Sequence, residues 1–245
     1  MEGSPNKSNQ RKYLYFDIIL PFNQFCGFIF MILSGYLFNT MGYGIRWPSP
    51  GNYGGVNFHG MFMSTAMVFF QGEALLSYRF YRYDAKVLSK FVHVVFHLMA
   101  IAFFSTALSA IIIHKNKSNL DHFTSVHSWI GITVMFVYVV QFAFGFVNFL
   151  FSGITESTRK TFMPMHRIVG CLLFAASLVQ AVIGFVQYNG FYGNCPQDHD
   201  APLVCGHYKF VLNFTIILAV LYGFTVLLLV IPPAWQRKKT PEEMQ

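Results

Sequence analysis

Charged residues are scarce in this chain of 245 residues. They make up 11% of the sequence, whereas a soluble domain carries about 25%, and only 10 residues are acidic. Several apolar runs exceed the roughly eighteen residues that a membrane-spanning helix requires. The low charge excludes an ordinary soluble domain, and the apolar runs predict a protein that crosses a lipid bilayer several times.

The sequence also lacks the pattern of a cleaved secretory signal. Residues 1–13 are polar, and the apolar run that follows has no small-residue cleavage site. That run is also longer than the apolar region of a signal peptide. We therefore expect it to be retained as the first membrane span.

Hydropathy predicts an all-α membrane protein with six transmembrane helices. We expect residues 1–13 to form a cytosolic N-terminal tail, 14–233 the six-helix transmembrane domain, and 234–245 a cytosolic C-terminal tail. Asn23, Gln24 and Glu73 are expected to lie near helix ends, where they reach the membrane interface. The six helices are expected at about 14–39, 57–79, 88–113, 125–150, 164–188 and 208–231.

Basic residues predict the orientation of the protein in the membrane. Of 17 Lys and Arg residues, 13 lie on the side of both termini. The other four are Arg46, Lys115, Lys117 and Lys209. Because basic residues concentrate in cytoplasmic loops, both termini are predicted to be cytosolic. This asymmetry accounts for the net charge of +7, so nucleic-acid binding is not needed to explain it.

The chain has only four cysteines. Cys26 and Cys171 fall within predicted helices, where small buried packing residues are expected. Cys195 and Cys205 lie in the predicted non-cytosolic loop before the sixth helix, with nine residues between them. Because that compartment permits disulfides, a Cys195–Cys205 bridge is predicted.

Two basic residues and two histidines mark the start of the third predicted helix. Lys86, Lys90, His93 and His97 are separated by four, three and four residues. These steps place all four on one helix face. Polar groups inside a membrane are costly and usually serve a pathway or a cofactor.

Four histidines lie in the first two turns of the second to fifth predicted helices. Because successive helices run in opposite directions, His59 and His127 are expected near the non-cytosolic face (the outer pair). His93 and His166 are expected near the cytosolic face (the inner pair). Two facing imidazoles within a helical bundle are what a b-type haem requires. The alternative is a histidine-lined proton or metal transporter without haem.

Several segments together resemble the cytochrome b561 family, whose members are ascorbate-dependent transmembrane electron carriers. The resemblance covers about residues 21–237. Its histidine spacings of 34, 34 and 39 residues fit the family pattern. The segments are Asn57–His59, Gln71–Arg79, Ser125–Trp129, Gln141 with Gly145, and Pro164–His166.

The resemblance implies a homodimer in which the second to fifth helices of each chain form a four-helix core around two haem b groups. The implied axial pairs are His59 with His127 and His93 with His166. Arg79 and Lys86 are implied to lie near the haem propionates. The remaining implied cofactor-binding residues are His122, Phe123, Thr124 and Ser125, against the outer haem, and Gln187, at the outer end of the fifth helix.

The resemblance also implies the substrates. Cytosolic ascorbate is expected at Lys86, Lys90 and Arg159, with Arg159 in the loop before the fifth helix. His114 corresponds to an outer acceptor site, where ferric iron or monodehydroascorbate is reduced. The implied location is the plasma membrane or an endosomal, lysosomal or secretory-vesicle membrane.

Overall fold

The structure, a computed structural model, describes residues 7–51, 54–151, 153–192 and 202–237. Within these ranges the chain forms six long helical segments and no strand, so the predicted all-α fold is confirmed. The segments are α1 (Lys7–Thr40), α2 (Gly55–Met63, π-helical Ser64–Phe70, then Gln71–Phe80), α3 (Lys86–Lys117), α4 (Val126–Gly145, continued by π-helical Phe146–Leu150), α5 (Glu156–Tyr192) and α6 (Pro202–Val230).

Five of these segments contain helices long and apolar enough to cross a membrane. They are Leu14–Thr40, Lys86–Lys117, Val126–Leu150, Glu156–Phe191 and His207–Val230. The remaining segment, α2, is continuously helical over residues 55–80, but its hydrogen bonding changes along the π-helical stretch. At about 1.5 Å per residue its length is also sufficient to span a bilayer.

Helix α5 begins eight residues before its predicted start. The Thr155 hydroxyl accepts a hydrogen bond from the Thr158 amide at 3.3 Å, which caps the first turn. Pro164 is then accommodated inside the helix, although proline is typical of a first helical position. The prediction that Arg159 lies in a loop is therefore wrong, because this residue belongs to the first turn of α5.

Three close helix pairs organise the bundle. Helix α1 packs along α6, α2 along α3, and α4 along α5. The backbone of α3 has little contact with those of α4 and α5. Helix α2 does pack on α5. Beside that contact a gap lies between the α2/α3 and α4/α5 halves of the core, and side chains such as Phe104 and Tyr138 pack across it.

Polar residues of α1 and α2 join helices inside the bundle. Asn23 is fully buried, and its side chain donates to the Tyr222 carbonyl at 3.0 Å and to the Thr225 hydroxyl at 2.7 Å. The Glu73 carboxyl group accepts from Gln24 at 3.0 Å and from the Tyr222 hydroxyl at 2.9 Å. The expectation that these side chains reach the interface is wrong, because they bond to one another across α1, α2 and α6.

The two cysteines predicted to lie within helices do so. Cys26 is buried and Cys171 is partly buried, and both are free thiols. Cys195, and with it the predicted disulfide to Cys205, lies outside the described residues.

Candidate cofactor-binding site

The four predicted histidines meet in two pairs across the gap between the core halves. The ring centroids of His59 and His127 are 6.3 Å apart, with an interplanar angle of 80°. Those of His93 and His166 are also 6.3 Å apart, with an angle of 70°. The structure therefore brings together the partners expected for each pair.

This separation fits an iron atom between the two rings. A metal–imidazole nitrogen bond is about 2.0–2.1 Å long, and the ring centre lies about 1 Å behind that nitrogen. Two axial imidazoles on one iron thus have centroids about 6 Å apart. Both pairs meet this requirement.

Backbone carbonyl groups orient one histidine of each pair. Nδ1 of His59 lies 3.1 Å from the carbonyl oxygen of Ala107, and Nδ1 of His93 lies 2.7 Å from that of Ala74. Because a carbonyl oxygen only accepts, each Nδ1 must carry the hydrogen. Each Nε2 therefore keeps a lone pair for a metal, as is usual for metal-binding histidines.

A glutamine faces the second histidine of each pair. Nε2 of Gln180 lies 2.8 Å from Nδ1 of His127, and Nε2 of Gln141 lies 2.9 Å from Nδ1 of His166. Among the described residues, none bonds the buried Oε1 of Gln180. The amide nitrogens of Gln180 and Gln141 also donate to the backbone oxygens of His127 and His166, so each glutamine contacts one histidine at two points.

The two histidine pairs lie at different depths in the bundle. His93 is in the inner pair, and Ala107, fourteen residues later on α3, contacts the outer pair. On α4, His127 is likewise followed after fourteen residues by Gln141, which contacts the inner pair. At about 1.5 Å per residue, the pairs are about 21 Å apart along the helices.

A repeat that the sequence analysis missed produces this arrangement in α4 and α5. His127, Gly131, Gln141 and Gly145 recur as His166, Gly170, Gln180 and Gly184, each 39 residues later. A Cβ atom on Gly184 would lie 2.9 Å from Cε1 of His127, and one on Gly145 would lie 2.8 Å from Cε1 of His166. The glycines therefore leave the space that the histidine rings occupy. Alignment of the chain with itself could have revealed the repeat.

The π-helical stretch of α2 corrects a difference in spacing. His59 and Ala74 are fifteen residues apart, whereas the matching positions of α3, α4 and α5 are fourteen apart. An α-helical residue turns the chain by about 100°, so the extra residue would rotate Ala74 away from His93. The π-helical segment Ser64–Phe70 absorbs that residue.

Arg79 and Lys86 lie at the cytosolic ends of α2 and α3 in the predicted orientation. The Arg79 side chain is buried and donates to the carbonyl group of Val230, the last residue of α6, and to that of Pro232. Lys86 is exposed at the first position of α3.

The segment implied to face the outer haem leads directly into α4. Ser125 caps this helix, and its hydroxyl accepts from the Ser128 amide at 3.2 Å. Phe123 has a φ of 55°, a left-handed conformation that is costly for a bulky residue and often marks a functional site. The exposed His122 bonds the Asn116 side chain at 2.7 Å, and Thr124 is exposed.

The other two residues implied for the outer end are His114 and Gln187. His114, on α3, lies against Gly55 at the start of α2, where a Cβ atom would be 2.6 Å from the histidine. Gln187 lies on α5 three residues beyond Gly184 and is half-buried. Both positions are therefore at the end of the bundle that carries the outer pair.

Three cations converge beside the inner pair. Lys90 donates to the carbonyl oxygen of Phe149 at 3.0 Å, and Arg159 donates to that of Phe151 at 2.7 Å. Lys86 and Arg159 are close enough to Lys90 to interact with it electrostatically. The ring of Phe149 packs 5.0 Å from that of His166, so this cluster adjoins an inner histidine.

The sequence matches a protein-family model and several known proteins. The family model for eukaryotic cytochrome b561 matches residues 58–192. The chain belongs to the cytochrome b561 family. A Caenorhabditis elegans CYB561 homolog is 31% identical over 93% of this chain and 87% of its own length. The transmembrane ascorbate ferrireductase 1 of Arabidopsis thaliana is 28% identical over 76% of this chain and 75% of its own length.

The human transmembrane ascorbate-dependent reductase CYB561 is 32% identical over 75% of this chain and 71% of its own length. As a member of the cytochrome b561 family, the chain is a multi-pass integral membrane oxidoreductase that binds haem b. The predicted family is confirmed. Membership favours the electron-transfer hypothesis over the histidine-lined transporter without haem.

Proposed function

We propose that this protein oxidises cytosolic ascorbate, holds two haem b groups at its two histidine pairs, and reduces ferric iron or monodehydroascorbate on the non-cytosolic side. The single observation that carries the proposal is the presence of two equally spaced histidine pairs at two depths of one bundle. The proposed assembly is a homodimer with both termini of each chain in the cytosol.

The histidine pairs would hold the cofactors by their axial positions. Bound haem b supplies reversible one-electron chemistry, and two imidazole ligands leave no open position for oxygen. The carbonyl groups of Ala74 and Ala107 fix the orientation of His93 and His59. Two imidazole rings held at this spacing then require little rearrangement to bind iron.

The cation cluster is the proposed ascorbate site. Ascorbate is an anion, and charge-assisted hydrogen bonds from arginine or lysine hold oxyanions strongly. The planar guanidinium of Arg159 can also hold an oxyanion through two parallel hydrogen bonds. Phe149 connects the site to the inner pair, because its carbonyl oxygen binds Lys90 and its ring packs on His166.

The acceptor would bind at the opposite end of the bundle. His114, His122 and the strained Phe123 lie there in the predicted orientation. Imidazole nitrogens suit both ferric iron and an oxyanion acceptor. The relatives' names include both ascorbate-dependent reductase and ascorbate ferrireductase.

A sided assay tests the proposal. The purified protein is placed in liposomes and its haem content and absorption spectrum are measured. Ascorbate is then supplied on the side of the termini, with a ferric chelate or monodehydroascorbate on the other. We expect two haems per chain and reduction of an acceptor across the bilayer. A colourless protein, or one whose haems ascorbate does not reduce, would contradict the proposal.

A further inference from the structure

The two histidine pairs have matching supports. Each contains one histidine bonded to a backbone carbonyl oxygen and one that faces a glutamine. Each supporting residue lies fourteen or fifteen residues after one of the four histidines on the same helix. Any difference between the two sites must therefore come from other neighbours.

Two residues break this match beside the inner pair. His97 lies four residues after His93, and Tyr138 lies three residues before Gln141. The corresponding positions for the outer pair are Met63, four residues after His59, and Ser177, three residues before Gln180. The Ser177 hydroxyl bonds the Leu173 carbonyl oxygen of its own helix at 2.8 Å. The outer pair therefore has no equivalent of the His97–Tyr138 interaction at these positions.

His97 and Tyr138 form a buried hydrogen bond across the gap between the core halves. Nδ1 of His97, on α3, lies 2.5 Å from the hydroxyl oxygen of Tyr138, on α4. The His97 ring is 4.4 Å from the His93 ring and nearly perpendicular to it. On its other side, Tyr138 packs against Phe104 at 5.6 Å. This pair is thus placed between the two histidine levels and directly against one inner histidine.

We propose that His97 and Tyr138 act as positioning residues that lower the reduction potential of the inner haem and so make two otherwise similar sites unequal. This inference rests on the proposed function, because it requires haem at both histidine pairs. An oxidised haem iron carries one more positive charge than the reduced form. Polar groups nearby favour the more charged form, whereas apolar surroundings disfavour it.

The test is a redox titration of the full-length protein followed by absorption spectroscopy. Tyr138→Phe keeps the ring and removes the hydroxyl, and His97→Leu removes the polar ring next to His93. We expect each variant to raise the inner midpoint potential, with His97→Leu giving about a tenfold change in the redox equilibrium, or about 59 mV for one electron. The outer midpoint should not move. The inner component is assigned as the one lost in His93→Ala.

A double variant and a matched control distinguish loss of the His97–Tyr138 hydrogen bond from a general effect of removing a buried polar group. If the hydrogen bond is what matters, adding Tyr138→Phe to His97→Leu should produce no further shift. Tyr188→Phe removes a hydroxyl that is similarly buried, at 4% exposure against 3% for Tyr138, and that bonds Asn57. It should leave the inner midpoint unchanged.

Three results would overturn the inference. They are unchanged midpoints in variants that retain both haems, equal shifts of both midpoints, and an equal inner shift in Tyr188→Phe. If Tyr138→Phe does not fold, His97→Leu decides the question by the same criteria. Wild-type protein without haem would refute the proposed function itself, whereas haem-loaded variants with wild-type midpoints would refute only this inference.

Discussion

The side chain of Gln180 contacts His127 at two points. Its amide nitrogen lies 2.8 Å from Nδ1 of the imidazole and 2.5 Å from the backbone oxygen of the same residue. Gln141 contacts His166 in the same way, at 2.9 and 2.7 Å. Each glutamine therefore holds both the backbone and the ring of a proposed axial ligand on the neighbouring helix.

Replacing one glutamine should weaken one haem site. In Gln180→Leu the ring of His127 loses its polar partner, so we expect the outer haem to bind about 10–100-fold more weakly, a range typical of a lost partner to a metal ligand. Gln141→Leu should do the same to the inner haem. The two variants are controls for each other when haem is titrated into apoprotein. Loss of both haems from either variant would contradict the assignment.

Filling the space beside a histidine ring should likewise weaken haem binding at one site only. Gly184→Ala places a methyl group 2.9 Å from Cε1 of His127, closer than van der Waals contact permits, so the ring must move. We expect Gly184→Ala to lower the content of the outer haem. Gly190→Ala is the matched control on the same helix, because nothing lies within 4 Å of its added Cβ. Equal haem content in the two variants would show that the close approach has no role.

Removing one histidine should abolish haem binding at its own pair and leave the other pair largely intact. His59→Ala and His127→Ala are each expected to remove the outer haem and to leave much of the inner one, because the pairs are about 21 Å apart along the helices. His93→Ala and His166→Ala should have the reverse effect. Haem content and the reduced spectrum of folded, monodisperse protein provide the measurement. The pairing is incorrect if each single variant loses both haems equally.

Neutralising the cation cluster should slow the donor reaction specifically. Lys90→Gln and Arg159→Gln are each expected to weaken ascorbate binding by about 1–3 kcal/mol, the value of a charge-assisted hydrogen bond. The rate of haem reduction is measured with ascorbate and with a small neutral reductant. The rate with the neutral reductant should not change. Lys160→Gln is the control, because Lys160 is exposed and pairs with Glu156 at 2.9 Å. A double variant reduced by ascorbate at the wild-type rate would place the donor site elsewhere.

Much of the fold and of the candidate site could be predicted from local patterns. Long apolar runs identify membrane helices because unpaired backbone groups cannot be left in lipid. Antiparallel succession then assigns His59 with His127 and His93 with His166 to two levels without any structure. Membership in the cytochrome b561 family was predictable because its motifs follow the same histidines.

Other features depended on contacts between residues distant in sequence. Asn23 and Glu73 appeared to belong at the interface, because the sequence does not show that α1, α2 and α6 meet around Tyr222. The start of α5 at Glu156 was missed because Pro164 resembled a first helical position, whereas Thr155 caps an earlier turn.

The histidine positions and the membrane class were thus determined by the sequence alone, because composition and helical periodicity are local properties. The groups that hydrogen-bond those histidines were decided only by the tertiary structure. Ala74 and Ala107 contribute backbone oxygens, which no side-chain pattern reveals, and His97 meets Tyr138 only where α3 approaches α4. A hydrogen bond between helices depends on their relative rotation and depth, and these are set by the packing of the whole bundle.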